Sequence, residues 1–251
     1  PKKLNFNIED YSKFKKKISY IILDKEPKNL RQIEEGDDEN TKNSKILDNA
    51  VNRENYQRNF VSNQLDNFSN DDLILINDVD EIPNLDNFKY KNKITIFKQK
   101  MFYYKLNLMH PNFNWSGSKI CKKKHLKSPQ WLRNVKSKKY PIWRLDSFFS
   151  NKKYHDIGFV ENGGWHFTNV KSVEEIDYKM KNFLHHLEYE ESGLKIDDLK
   201  KMRNEKRIIY NHNIDQKGYK WSDKTKLKIA ENDLLPEYIT QNIEKYKEWL
   251  D

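Results

Sequence analysis

The chain has 251 residues, 36% hydrophobic and 34% charged, and its 6 Trp, 14 Tyr and 13 Phe supply large buriable surfaces that disordered chains lack. That length suits one sizeable α/β domain and is short for two independent enzymes. The net charge of +9 equals the charge of one stretch, Lys119 to Lys139, which holds eight Lys, one Arg and no acid, so the remainder of the chain is balanced.

Lys17 to Leu23 reads as a β-strand, rich in β-branched and aromatic residues and ended by the turn signal Asp24-Lys25-Glu26-Pro27. The acidic run Glu34 to Asn40 has no apolar periodicity and reads as a mobile surface loop. From about Ser44 to Phe68, apolar residues at Ile46, Leu47, Val51, Phe60, Val61, Leu65 and Phe68 approximate one face of a helix, with Arg53, Gln57 and Arg58 on its other faces. Asn70-Asp71-Asp72 turns into Leu73-Ile74-Leu75-Ile76, an apolar run of the kind found in strands buried on both faces. Further strands are expected at Ile94 to Lys98, Met101 to Leu108 and Asn114 to Ile120, and helices at Val173 to Glu191, Ile196 to Arg207 and Thr240 to Leu250. The fold class is therefore α/β, a mixed sheet flanked by helices. A single domain spans 1–251, with the sheet in about 1–170 and a helical C-terminal part in about 171–251.

The single Cys121 excludes an intramolecular disulfide and favours a reducing setting, so the expected location is cytoplasmic. No apolar run approaches the roughly 20 residues that cross a bilayer, and Pro1-Lys2-Lys3-Leu4 has no signal-peptide core. A Golgi location would require an N-terminal anchor removed from the chain. The segment Lys119 to Lys139 reads either as a solvated loop or as a surface for phosphate groups, membrane headgroups or nucleic acid. Lys neighbours there would lower the thiol pKa of Cys121, yet no base accompanies it and it is assigned no role.

Asn77-Asp78-Val79-Asp80-Glu81-Ile82-Pro83 follows the apolar strand directly, and ligands of open α/β sheets bind beyond the carboxyl ends of strands. If the chain stays extended, Asp78 and Asp80 point to one side and could share one hard cation, Mg²⁺ or Mn²⁺. The bland alternative is a solvated acidic turn. An apolar strand followed by Asp-x-Asp is also how aspartate-nucleophile phosphatases present their nucleophile, which would here be Asp78. Glu161-Asn162-Gly163-Gly164-Trp165-His166-Phe167 is the second concentrated signal: two Gly allow close backbone approach, and Trp and His offer an apolar face and an imidazole. His185 and His186 lie on a helical pattern and read as structural; Trp115 and Gly117 read as core residues or as shapers of a ligand pocket.

Taken in order, Glu54-Asn55-Tyr56-Gln57-Arg58-Asn59, Asp71 to Ile76, Asn77 to Pro83 and, some 80 residues on, Gly163-Gly164-Trp165-His166-Phe167 resemble the pattern of glycosyltransferase family 17. The resemblance runs from about Lys2 to Glu188. It implies a GT-A-like fold, a UDP-sugar donor, N-acetylglucosamine as the sugar, a glycan acceptor, Mn²⁺ or Mg²⁺ dependence and inversion at the anomeric carbon. By the same resemblance Asp78 and Asp80 hold metal and diphosphate, with His166 as a third metal or diphosphate contact. Trp165 walls the sugar pocket and Arg58 reaches the donor phosphate. Glu81 is either a brace of the acidic loop or a catalytic group; Glu81, Asp156 and Glu161 are the candidate general bases. The family's further strand before Pro1, which helps hold the nucleotide base, is absent from this sequence. Lys119 to Lys139 has no residue-by-residue match and reads as an acceptor-facing insertion. The competing non-enzymatic reading is a binder of anionic surfaces or nucleic acid through that stretch.

Overall fold

The computed structural model describes residues 6–183, 186–212, 220–222 and 225–251. In chain order the principal elements are α1 (Glu39–Phe60), β1 (Leu73–Ile76), β2 (Glu81–Pro83), β3 (Ile94–Phe97), β4 (Gln99–Tyr103), β5 (Leu108–Trp115), β6 (Lys119–Lys122), α2 (Pro129–Asn134), β7 (Ile157–Val160), β8 (Gly164–Thr168), α3 (Val173–Asn182), α4 (His186–Glu191), α5 (Ile196–Asn204), β9 (Lys228–Ile229), α6 (Glu237–Thr240) and α7 (Ile243–Tyr246). The result is an α/β fold with two mixed sheets flanked by helices.

The first sheet has the order β1-β6-β3-β7 and the second β2-β8-β4-β5-β9. Each strand of the first sheet continues almost directly into, or out of, a strand of the second. With β1–β2 and β3–β4 taken as rails, the other two segments exchange places. β6 lies between β1 and β3, whereas β8, the continuation of β7, lies between β2 and β4. Two backbones must therefore cross, and glycines stand where they do. Gly164 has φ +126°, and a Cβ on it would lie 2.1 Å from the Ile82 carbonyl oxygen. β6 runs antiparallel to β1 and β3, and β3 parallel to β7, so β1, β3 and β7 all end at the crossing.

Packing follows the two-residue period of the strands. On β4, Met101 and Tyr103 face a core with Ile176 and Met180 of α3 and Leu199 of α5, while Phe102 faces Ala230, Leu235 and Ile239 on the other side. α3 opens with a reciprocal capping box between Ser172 and Glu175. In the first sheet Ile94, Ile96, Cys121 and Ile157 pack under Leu132 and Val135. Burial raises the Cys121 thiol to about 12, outweighing the Lys93 charge, so the expected lowering by lysines does not occur.

Several expectations are corrected. Residues 18–23 join no ladder among the described residues and so form no strand; they lie across a groove from Arg53, Tyr56 and Phe60 of α1. The acidic run launches a helix: Asp38 caps α1 by accepting from the Thr41 amide, and Asp37 grips the buried Lys45 ammonium at 2.6 Å. The helix accordingly starts at Glu39 and ends at Phe60, earlier than the apolar pattern implied. β1 is a sheet edge, with Leu73 exposed. Lys119 to Lys139 is β6, a 3-10 turn and α2, and no simple loop. The C-terminal part adds the short β9 to its helices, and 240–250 is broken into short turns.

Gly164→Ala should destabilise the chain by about 2 kcal/mol or more, since both the backbone conformation and the Ile82 contact oppose a side chain. Urea unfolding measures it; an unchanged midpoint would contradict this account of the crossing.

Candidate active site

The acidic motif leaves β1 at the crossing and turns at once: the Glu81 amide donates to the Asp78 carbonyl at 3.1 Å. The extended geometry expected for Asp78-Val79-Asp80 is thus replaced by a turn with Val79 fully exposed at its tip. Pairing of β2 with β8 sets Glu81 opposite His166, and the Phe167 amide donates to the Asp80 carbonyl at 2.9 Å. The two separate sequence signals meet through these bonds.

Glu81 has no exposed side-chain surface. Its carboxylate accepts from Arg133 Nη1 at 3.0 and 2.9 Å, from Trp115 Nε1 at 2.6 Å, from Ser118 Oγ at 3.2 Å and from the Asp78 amide at 3.1 Å. Gly117 makes room for it, as a Cβ there would fall 1.8 Å from Glu81 Oε1. Of the two roles open to Glu81, this geometry supplies the brace. A sealed carboxylate with both oxygens engaged has no path to an acceptor proton.

Asp78 lies between two guanidiniums, Arg133 at 2.6 Å and Arg58 at 3.2 Å. Arg58 is steered by Glu54 and by Gln130 of α2. Asp80 meets His166 Nε2 at 3.5 Å. Burial would raise its carboxyl pKa, but the His166 hydrogen bond and charge, with the Lys179 charge, bring it below the usual value. The His166 ring stacks on Trp115, centroids 4.8 Å apart, and its buried Nδ1 has no hydrogen-bond partner among the described residues.

Other expected site residues fall elsewhere. Trp165 precedes His166 on a strand and therefore points to the opposite face, where its Nε1 donates to the Leu234 carbonyl at 2.7 Å. It does not wall a pocket beside Asp80. Asp156 stands at the start of β7, at the other end of the sheet, tied to Asn92 Nδ2 and the Lys93 amide. Glu161 follows β7 and pairs with Lys98 at 2.7 Å; three strand spacings, about 14 Å, separate β7 from β1. His186 opens α4 with Nδ1 3.0 Å from the Phe183 carbonyl oxygen, and His185 lies outside the described residues.

What composition could not single out is Arg133, the one Arg of the basic stretch. Its type was the available signal, because a planar fork suits two carboxylates where Lys does not. Lys119, buried beneath it, donates to the Arg133 and Val135 carbonyls at 2.6 and 2.5 Å and so fastens the end of α2. Burial, with the Arg133 charge, lowers Lys119 to about 7. Beyond Trp115 lies a pocket of about 200 Å³ walled by Trp115, Tyr210, Trp221, Phe183, Glu188 and Lys220. Trp115, which also donates to Glu81, sets the pocket beside the acidic turn; burial, then the charges of Asp80 and Glu188, raises the Tyr210 phenol to about 12.

No protein-family model, curated protein or solved structure matches the chain. The chemistry of the site rests on its own groups. Two carboxylates and an imidazole whose Nε2 faces Asp80 are donors that suit a hard or borderline divalent ion; the partnerless Nδ1 is the ring's other, buried nitrogen and is not part of that set. Among the described residues no three-ligand cluster is preassembled.

Arg133→Met should cost about 3 kcal/mol or more, because it strands a buried carboxylate, and Arg58→Met clearly less; denaturant titration compares them. The lowered Lys119 pKa means that the unfolded chain holds the extra proton between about 7 and about 10, so stability rises with pH across that window. The rise in Tm should be smaller in Lys119→Met, measured by thermal melts at stepped pH.

Proposed function

We propose that the chain is a metal-dependent glycosyltransferase with a GT-A-like arrangement, related to glycosyltransferase family 17, that moves a sugar from a UDP-sugar to a glycan acceptor with inversion. The resemblance makes N-acetylglucosamine the sugar. The observation that carries the reading is the Asp78-Val79-Asp80 turn at the shared carboxyl end of β1, β3 and β7, with Asp80 against His166 and Asp78 against Arg58 and Arg133. Ligands of α/β sheets bind at this end, and cations beside paired carboxylates suit a diphosphate.

Asp78, Asp80 and His166 would hold the divalent ion, Mn²⁺ or Mg²⁺, which when bound supplies neutralising charge for the leaving diphosphate. Arg58 and Arg133 exchange their contact with Asp78 for the phosphate oxygens. Glu81 keeps Arg133 aimed during that exchange, since its two bonds to the guanidinium do not depend on Asp78. Trp115 and Trp221 offer apolar faces to a sugar ring in the adjoining pocket. Glu188, paired with Lys220 at 2.9 Å, is the acid that lines that pocket and would there take the acceptor proton.

Calorimetric titration with UDP, with and without Mn²⁺, tests the reading. Binding should require Mn²⁺ and weaken in Asp80→Ala by more than about tenfold, the least that even outer-shell changes at metal sites cost. UDP binding that is indifferent to Mn²⁺ and to Asp80 would overturn it.

A further inference from the structure

Between α2 and β7 the chain makes a projecting loop with an apolar outer face. Its large apolar side chains point outward: Ile142 is 73% exposed, Trp143 80%, Leu145 73%, Phe148 61% and Phe149 92%. Ser147 and His155 are held inside, while Arg144 and Asp146 remain exposed. Ser147 is buried, with Oγ 2.7 Å from His155 Nε2, and His155 Nδ1 lies 2.9 Å from the Tyr140 carbonyl oxygen. Asp146, the one acid of the loop, is neutralised by Arg144 at 2.7 Å and Lys153 at 2.5 Å.

The loop is not slack chain. The Lys136 amide donates to the Lys152 carbonyl at 2.7 Å and the Tyr140 amide to the Tyr154 carbonyl at 3.4 Å, closing a neck. A 3-10 turn at Leu145–Ser147 shapes the tip. A fold that fixes a loop through its polar interior while presenting Trp and Phe to water has built that face for an apolar phase.

Charge identifies the phase. Lys136, Lys138, Lys139 and Lys152 stand exposed along the neck behind the apolar tip. An aromatic tip with a lysine collar matches the layering of an anionic bilayer, where aromatic rings lie at the boundary of headgroup and acyl chain and ammonium groups meet lipid phosphates. A second copy of the chain would bring two such collars together, and like charges oppose it.

We propose that residues 140–150 insert into the surface of an anionic lipid bilayer, with the lysines at the neck on its headgroups. This moves membrane contact away from the basic stretch as a whole. Lys119 is buried there, Lys122 and Lys124 are paired with Asp71, and Lys123 donates to the Phe68 carbonyl. Only the end of that stretch, from Lys136, joins the loop.

Co-sedimentation of the full chain with vesicles of phosphatidylcholine alone, or of phosphatidylcholine containing phosphatidylglycerol, tests the proposal. Binding to the anionic vesicles is expected, with a blue shift of tryptophan emission. Trp143→Ala with Phe149→Ala should weaken it roughly tenfold or more, the equivalent of losing one or two buried aromatic side chains, at unchanged Tm. Absence of binding, or binding that survives the double substitution, would overturn the proposal. So would concentration-dependent self-association that the double substitution abolishes in the absence of vesicles. UDP binding is read separately and does not depend on this face.

Discussion

The buried Glu81–Arg133 pair is the contact on which the site depends. Desolvating a carboxylate and a guanidinium costs several kcal/mol each, and the arrangement is tolerable only because every oxygen of Glu81 is engaged. Those partners come from α2, β5, the turn into β6 and the acidic turn itself. One side chain therefore holds four pieces of chain in register. Asp78 and Asp80 are presented as they are because the residue after them is locked.

The same pair explains which acids are available for chemistry. Glu81 is consumed by structure, Asp156 lies at the other end of the sheet and Glu161 beyond its outer strand. Asp78 and Asp80 stay partly exposed, Asp78 beside the Arg58 and Arg133 guanidiniums and Asp80 beside the His166 imidazole. A Trp–His dipeptide divides in the same way: His166 joins the acids and Trp165 serves the core behind them, while Trp115, from another strand, supplies the ring beside the imidazole.

Local features were readable from sequence and pairings were not. The apolar runs at 73–76 and 94–97 and the capped helix after Ser172 carry their own signals of period and terminus. The Asp78–Arg58 and Asp80–His166 contacts join residues far apart in sequence, which local period does not reveal. The stretch 17–23 has strand composition yet no neighbour, and strand formation needs a partner that composition does not reveal. Arg133 was hidden among lysines, where summed charge conceals that one member faces inward. The aromatic tip at 142–149 was passed over for the opposite reason: its exposure is invisible until the polar interior of the loop is seen.

The exchange of strands between the sheets also constrains how the chain can assemble. β6 and β8 each occupy an inner position whose outer neighbours come from distant sequence, so neither sheet closes from consecutive hairpins. β8 pairs with β2 on one side and β4 on the other, so its place in the sheet is closed by contacts between distant parts of the sequence. A topology rich in such long-range closure belongs to a slow-folding class.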